Sequence, residues 1–231
     1  MDLGKSFSYV FEDEKWIETI LIGGLILIIP IIGQLYLLGF MIEAARRVVA
    51  GQADLLPEWG DVAKKIEDGL KVFVITFVYA LPAILIALFL GIIFAGTGWL
   101  SYVSNTDSVQ TFGLLLGVFA SFCLVPLMVL LGIVLQILSY AGLMIYVRTG
   151  KVGDALHFGE AYDHVQGHIG NYLILWLVFL LASFVGSLGS IFFGVGALFT
   201  GIYSQAQFGN YFGQFINAER QFRDRHPESA S

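Results

Sequence analysis

Residues 72–106 read VFVITFVYALPAILIALFLGIIFAGTGWLSYVSNT and contain no Asp, Glu, Lys or Arg. A hydrocarbon core takes about 20 consecutive apolar residues as one helix, so this stretch is long enough to cross a bilayer. Three further stretches are equally free of charge: 19–42, 108–147 and 165–218. The last two are long enough to cross twice. Backbone groups in lipid must be satisfied within their own segment, which leaves helices as the solution for such blocks. The chain therefore reads as an all-α polytopic membrane bundle of four to six spans.

Composition agrees. The 231 residues are 57% hydrophobic and 13% charged, against roughly a quarter charged in a soluble domain. The 27 glycines suit close helix approach in lipid. Basic residues cluster beside the apolar blocks: Arg46 and Arg47; Lys64, Lys65 and Lys71; Arg148 and Lys151; Arg220, Arg223 and Arg225. Such clusters mark cytoplasmic ends of spans and are too small for a nucleic-acid surface. The expected location is the cell membrane, multi-pass. Cys123 is the only cysteine; it cannot form an internal disulfide and is expected as a small buried hydrophobe. The stretch from Met1 to Trp16 carries Asp2, Glu12, Asp13 and Glu14 and does not read as a cleaved signal.

Residues 3–16 are amphipathic, and Phe7, Tyr9, Phe11 and Trp16 suit the headgroup level. The block from Ile17 to Arg46 is too long for one straight span and is broken by Pro30 and Gly33. A kinked single span is the preferred expectation, and a re-entrant hairpin turning at Pro30 is its rival. Two surface-lying amphipathic helices are expected at 57–69 and 152–169. Trp16, Trp59, Phe158 and Tyr162 are the expected interfacial anchors. Residues 96–110 read as the one substantial external loop, and 220–231 as a flexible cytoplasmic tail.

The order of features recurs. A shift of 102 pairs Gln34 with Gln136, Arg46 with Arg148, Gly51 with Gly153, Glu58 with Glu160 and Asp61 with Asp163. An internal duplication follows as an expectation, with halves at 17–95 and 112–216 within one membrane domain. Both amphipathic segments follow an arginine, which favours parallel halves.

Candidate chemistry is sparse. His157, Glu160, His164 and His168 fall within roughly 60° on a helical wheel. His164 and His168 have i, i+4 ligand spacing, so a metal or pH-responsive role competes with that of a plain wet face. The first half lacks the histidines, and no metal or cofactor is expected. Gln34 and Gln136 are the polar residues singled out inside apolar blocks, where an amide more often joins spans than binds a solute. Glu43 is expected to pair with Arg46 and Arg47 one turn on. No buried Asp, Glu, Lys or Arg is expected, which argues against proton coupling or voltage sensing. No Gly-x-Ser-x-Gly, His-Glu-x-x-His or phosphate loop is present, and no catalytic residue is assigned.

The runs IIPIIGQLYLLGFMIEAARRVVAGQADLLPEW, YAGLMIYVRTGKVGDALHFGEAY and IYSQAQFGNYFGQF resemble an uncharacterised archaeal and bacterial multi-spanning family, domain of unknown function 4013. The resemblance covers most of the chain, with LPEW and the downstream DGL as its most specific piece. It implies a compact multi-spanning fold and supplies no activity or site residue. The expected role is a non-catalytic scaffold or accessory subunit that self-associates or contacts lipid or partner proteins. A channel or carrier for a small neutral solute or lipid is the alternative, ahead of a lipid-modifying enzyme.

Overall fold

The computed structural model describes residues 2–52, 56–58, 60–103, 107–191 and 195–225. Its regular elements, among the described residues, are all helical. Helix α1 (Leu3–Glu12) is capped by Asp2, whose carboxylate accepts from the Lys5 backbone N–H at 3.0 Å. Helices α2 (Trp16–Leu27) and α3 (Ile32–Val49) follow. Helices α4 (Val62–Val103) and α5 (Asp107–Thr149) are the longest, with 42 and 43 residues. Two short helices, α6 (Val152–Ala155) and α7 (Phe158–Gly167), lead into α8 (Ile169–Leu188). A 3-10 turn at Gly189–Ile191 precedes α9 (Val195–Arg225).

Stretches Val62–Gly96, Gln110–Thr149 and Ile169–Ile191 are long and apolar enough to cross a membrane, and Trp16–Leu27 is a shorter apolar helix. The protein is an all-α membrane helix bundle. Helices α5, α4, α3, α9 and α8 pack in that order, and α8 returns to touch α5.

Several expectations change. The first overlong block is a hairpin rather than a kinked span. Pro30 has no N–H to continue α2, and Ile31 takes φ 66°, a left-handed value that reverses the chain. The segment before α2 then meets the far end of α3: the Leu56 N–H donates to Asp13 at 3.1 Å, and Arg47 donates to the Leu56 carbonyl. The second overlong block behaves differently, because α5 runs unbroken through Pro126. The surface helix expected from residue 57 begins at Val62 and continues into α4 without a break. Asp61, at φ 58°, sets that start. The second surface helix is split into α6 and α7. The expected external loop is helical to Val103 and again from Asp107. Cys123 is exposed rather than buried. Tyr9, expected at the headgroups, is buried and donates to the Ala206 carbonyl at 2.8 Å. Of the flexible tail expected at 220–231, the part up to Arg225 continues α9, and 226–231 lies outside the described residues.

Helix α3 is the hub. A Cβ on Gly39 would run into the Lys65 carbonyl of α4, and one on Gly69 into the Leu35 carbonyl of α3. On its other side, Gly209 and Gly213 of α9 lie against the Met41 and Ala45 carbonyls. Small residues at four-residue spacing let helices approach to backbone contact. Around this seam sits an aromatic core. Tyr140 packs on Phe208 and Phe179, with centroids 5.7 and 5.8 Å away, and Tyr172 packs on Phe215 at 5.0 Å.

Overpacking a core costs about 1–3 kcal/mol where side chains can yield, and more against backbone. Gly39→Val is therefore expected to lower unfolding free energy in detergent by at least about 3 kcal/mol. Gly117→Ala, where nothing lies within 4 Å, should stay within about 0.5 kcal/mol of the parent. Thermal unfolding of the two variants checks the contrast.

Candidate functional site

The polar chemistry gathers at one end of the bundle. Arg46 of α3 donates to Asp68 of α4 at 2.6 Å, and the Tyr146 hydroxyl of α5 donates to the other Asp68 oxygen at 2.6 Å. The Arg46 guanidinium also lies 5.2 Å from the Tyr146 ring centroid. Beside this triad, Glu43 accepts from Arg47 at 3.0 Å and from Lys65 at 2.9 Å. The Lys65 ammonium, 3% exposed, also donates to the Glu58 and Gly60 carbonyls at 2.6 and 2.7 Å. Glu43 thus pairs with Arg47 as expected, but Lys65 replaces Arg46 as its second partner. Lys65, Asp68 and Glu219 are buried charged residues, which corrects the expectation of none.

These groups border two adjoining clefts. One of about 570 Å³ is lined by Glu12, Asp13, Glu18, Arg47 and Glu58. Its neighbour, about 320 Å³, includes Glu43, Arg46, Lys64, Lys65 and Asp68. Arg46 and Tyr146 share Asp68, and Lys65 pairs with Glu43, so the cluster fastens α3, α4 and α5 together. A geometry of nucleophile, base and orienting group does not arise from these residues.

The histidine set does not share one helix. His157 precedes α7, and its ring nitrogen lies 3.1 Å from the Asp154 carbonyl. His168 is the joint between α7 and α8, at φ −140° and ψ 33°, which breaks the i, i+4 register with His164. Its ring turns to α9, where Nδ1 is 3.5 Å from Glu219 and the ring meets Phe222 edge-on at 5.0 Å. Glu160 is exposed. Among the described residues no group of three His, Cys, Asp or Glu is arranged to hold a metal ion.

Gln34 and Gln136 do not meet either. Gln34 is exposed; Gln136 is half-buried, and its backbone carbonyl accepts from Ser139 at 2.7 Å. Of the expected anchors, Phe158 and Tyr162 are exposed, while Trp16 is half-buried against Phe11, edge-on at 5.2 Å. Trp59 lies outside the described residues.

One polar feature leaves no mark on a map of charges. Thr200, Ser204, Gln207, Asn210, Gln214 and Asn217 recur every three or four residues along α9, a helical stripe visible in the sequence alone. Helix α1 covers part of it. The Ser6 hydroxyl donates to Asn210 at 3.1 Å, and Gln214 donates to Ser6 at 3.0 Å while accepting from the Asp2 N–H at 2.7 Å. Asn217 donates to the Val48 carbonyl of α3 at 3.1 Å. Gln207 is fully buried, and neither of its amide atoms has a hydrogen-bond partner within the described structure.

The long apolar helices of this bundle define an all-α integral membrane protein. The chain belongs to the family described as Protein of unknown function (DUF4013), which matches residues 22–195. That stretch runs from within α2 to the first residue of α9, so the α1–α9 contact lies outside it. No curated protein and no solved structure matches the chain.

Breaking a buried ion pair by removing one member costs about 3–5 kcal/mol, less where solvent reaches it. Asp68 is 12% exposed and Arg46 31%, so Asp68→Ala should cost about 2–3 kcal/mol in a detergent unfolding assay. The double variant Arg46→Met with Asp68→Leu should cost less than the two single losses added, which a double-mutant cycle measures. Gln207→Met removes an unmatched buried amide at nearly constant volume, and its unfolding midpoint should rise or hold.

Proposed function

We propose that this protein is a non-catalytic scaffold or accessory subunit of the cell membrane, acting through association with lipid and with other chains. The observation that carries this reading is the filling of the bundle interior. Tyr140, Phe179, Phe208, Phe212, Phe215 and Tyr172 stack through the space a solute path would need, with Phe208–Phe212 and Phe212–Phe215 centroids at 6.0 and 6.4 Å. Gln34 and Gln136 face different surroundings, so no shared polar lining supports transport. In the smaller cleft, Glu43, Arg46, Lys65 and Asp68 are held in ion pairs that join helices rather than poised as an acid or base.

Glycerol permeation and native mass spectrometry test the reading together. Liposomes containing the protein should shrink and recover in glycerol at the rate of empty liposomes. The protein drawn gently from its membrane should carry a second copy, a partner chain or stoichiometric lipid. Glycerol flux that disappears when Gln34 and Gln136 both become leucine would overturn the scaffold in favour of a channel. A bare monomer without bound lipid would overturn it as well.

A further inference from the structure

We infer that the bilayer surface meets this molecule at the Tyr79–Phe158 contact, so that the distal α4–α5 hairpin is a lipid-embedded anchor and the ion-paired end of the bundle is a head outside the hydrocarbon. The partner this surface fits is the acyl-chain layer of a membrane, bounded by headgroups at two aromatic belts. The placement holds whether the protein scaffolds or transports.

The upper boundary is set by polar chain. Tyr79 of α4 donates to the Ala155 carbonyl at 2.9 Å, and its ring lies 4.6 Å from Phe158. A Cβ on Gly142 of α5 would also meet the Ala155 carbonyl. The α6–α7 segment that makes these contacts carries exposed Glu160 and Asp163, and charged groups at the bilayer centre are costly. Exposed Phe158 and Tyr162 lie on the same short helix, the aromatic pattern of an interface. Two turns nearer the head, Lys71 pairs with Glu67 at 2.6 Å, both partly or largely exposed.

Past Lys71 the hairpin changes character, with Phe73 and Phe77 at the headgroup approach already 48 and 44% exposed. On α4, Leu85, Phe89 and Ile92 are 61, 65 and 72% exposed, and Ile84 and Ile86 on flanking faces are exposed too. On α5, Phe119 and Phe122 are 71 and 80% exposed. Apolar side chains therefore surround the pair except where the two helices touch. A protein partner would cover one stripe, whereas a helix apolar all round is solvated by lipid.

The lower boundary is a second aromatic belt. Trp99 and Tyr102 are exposed with ring centroids 6.3 Å apart, and Asp107 begins the return helix. From Tyr79 to Trp99 is about 30 Å at 1.5 Å per residue, the thickness of a hydrocarbon core. Helix α8 starts at Ile169, directly after α7, and its 20 residues give about the same length. Two spans thus begin beside one polar segment and match one bilayer.

Cys123, exposed and alone, lies about 20 Å along α5 from Gln136 and serves as a native probe. A nitroxide on Cys123 in phosphatidylcholine nanodiscs should be relaxed by oxygen and shielded from a water-soluble nickel chelate. In a Cys123→Ala background, labels at Lys71→Cys and Asp163→Cys should respond to nickel in the opposite sense. Three outcomes overturn the placement. Nickel access at Cys123 would put the hairpin in water, and shielding from both relaxants would put a protein partner on it. A Lys71 label relaxed by oxygen alone would move the head into the membrane.

Discussion

The rest of the structure depends on how closely α3 can be approached from two sides. Gly39 and Gly69 remove the side chains that would hold α3 and α4 apart, while Gly209 and Gly213 do the same between α3 and α9. In a head outside the hydrocarbon, apolar burial draws these helices together, and approach to backbone contact adds dispersion at close range and interhelical hydrogen bonds. The seam delivers both. It brings Lys65 and Asp68 of α4 within reach of Glu43 and Arg46 of α3, and Asn217 of α9 within reach of the Val48 carbonyl.

Those polar contacts explain why the bundle has one charged end. Each buried charge there has a partner from another helix, as with Asp68 between Arg46 and Tyr146. An isolated charge at this depth would carry a large desolvation cost, whereas a paired and hydrogen-bonded one is tolerated and fixes the register of its helices. Tyr9 belongs to the same logic on the α9 side: burial and the nearby Asp13 push its hydroxyl well above the usual range, so it remains a donor to the Ala206 carbonyl. The head is thereby closed by specific contacts, while the α4–α5 hairpin below it has apolar faces and few constraints.

Much of this was legible. Runs without charge set the helical class and the location of the long helices, because the cost of charge in hydrocarbon acts on every residue of a span. Pro30 marked the break in the first block, but whether a proline kinks or reverses a helix depends on the residue after it, and Ile31 closes a γ-turn at positive φ that no pattern announces. Pro126 showed the converse, sitting inside an unbroken α5. The histidine face failed because wheel geometry assumes one continuous helix, and His168 ends one. Lys65 and Asp68 fall within the surface helix expected at 57–69, and only the crossing at Gly39 turns that face inward. The stripe on α9 is legible as spacing, but its uncharged amides and hydroxyls do not register on a charge map. The family relationship extends across α3 to α8 and brings no chemistry with it, so the role rests on the packed interior and the lipid-facing hairpin.

Hydrogen exchange read along α3, α4 and α9 tests the central claim most directly. If α3 is the hub, its amides between Leu35 and Val48 exchange slowest, and Gly39→Val speeds exchange in α3, α4 and α9 together as one cooperative unit. Loosening confined to the α3–α4 crossing, with α9 keeping its protection, would contradict the account.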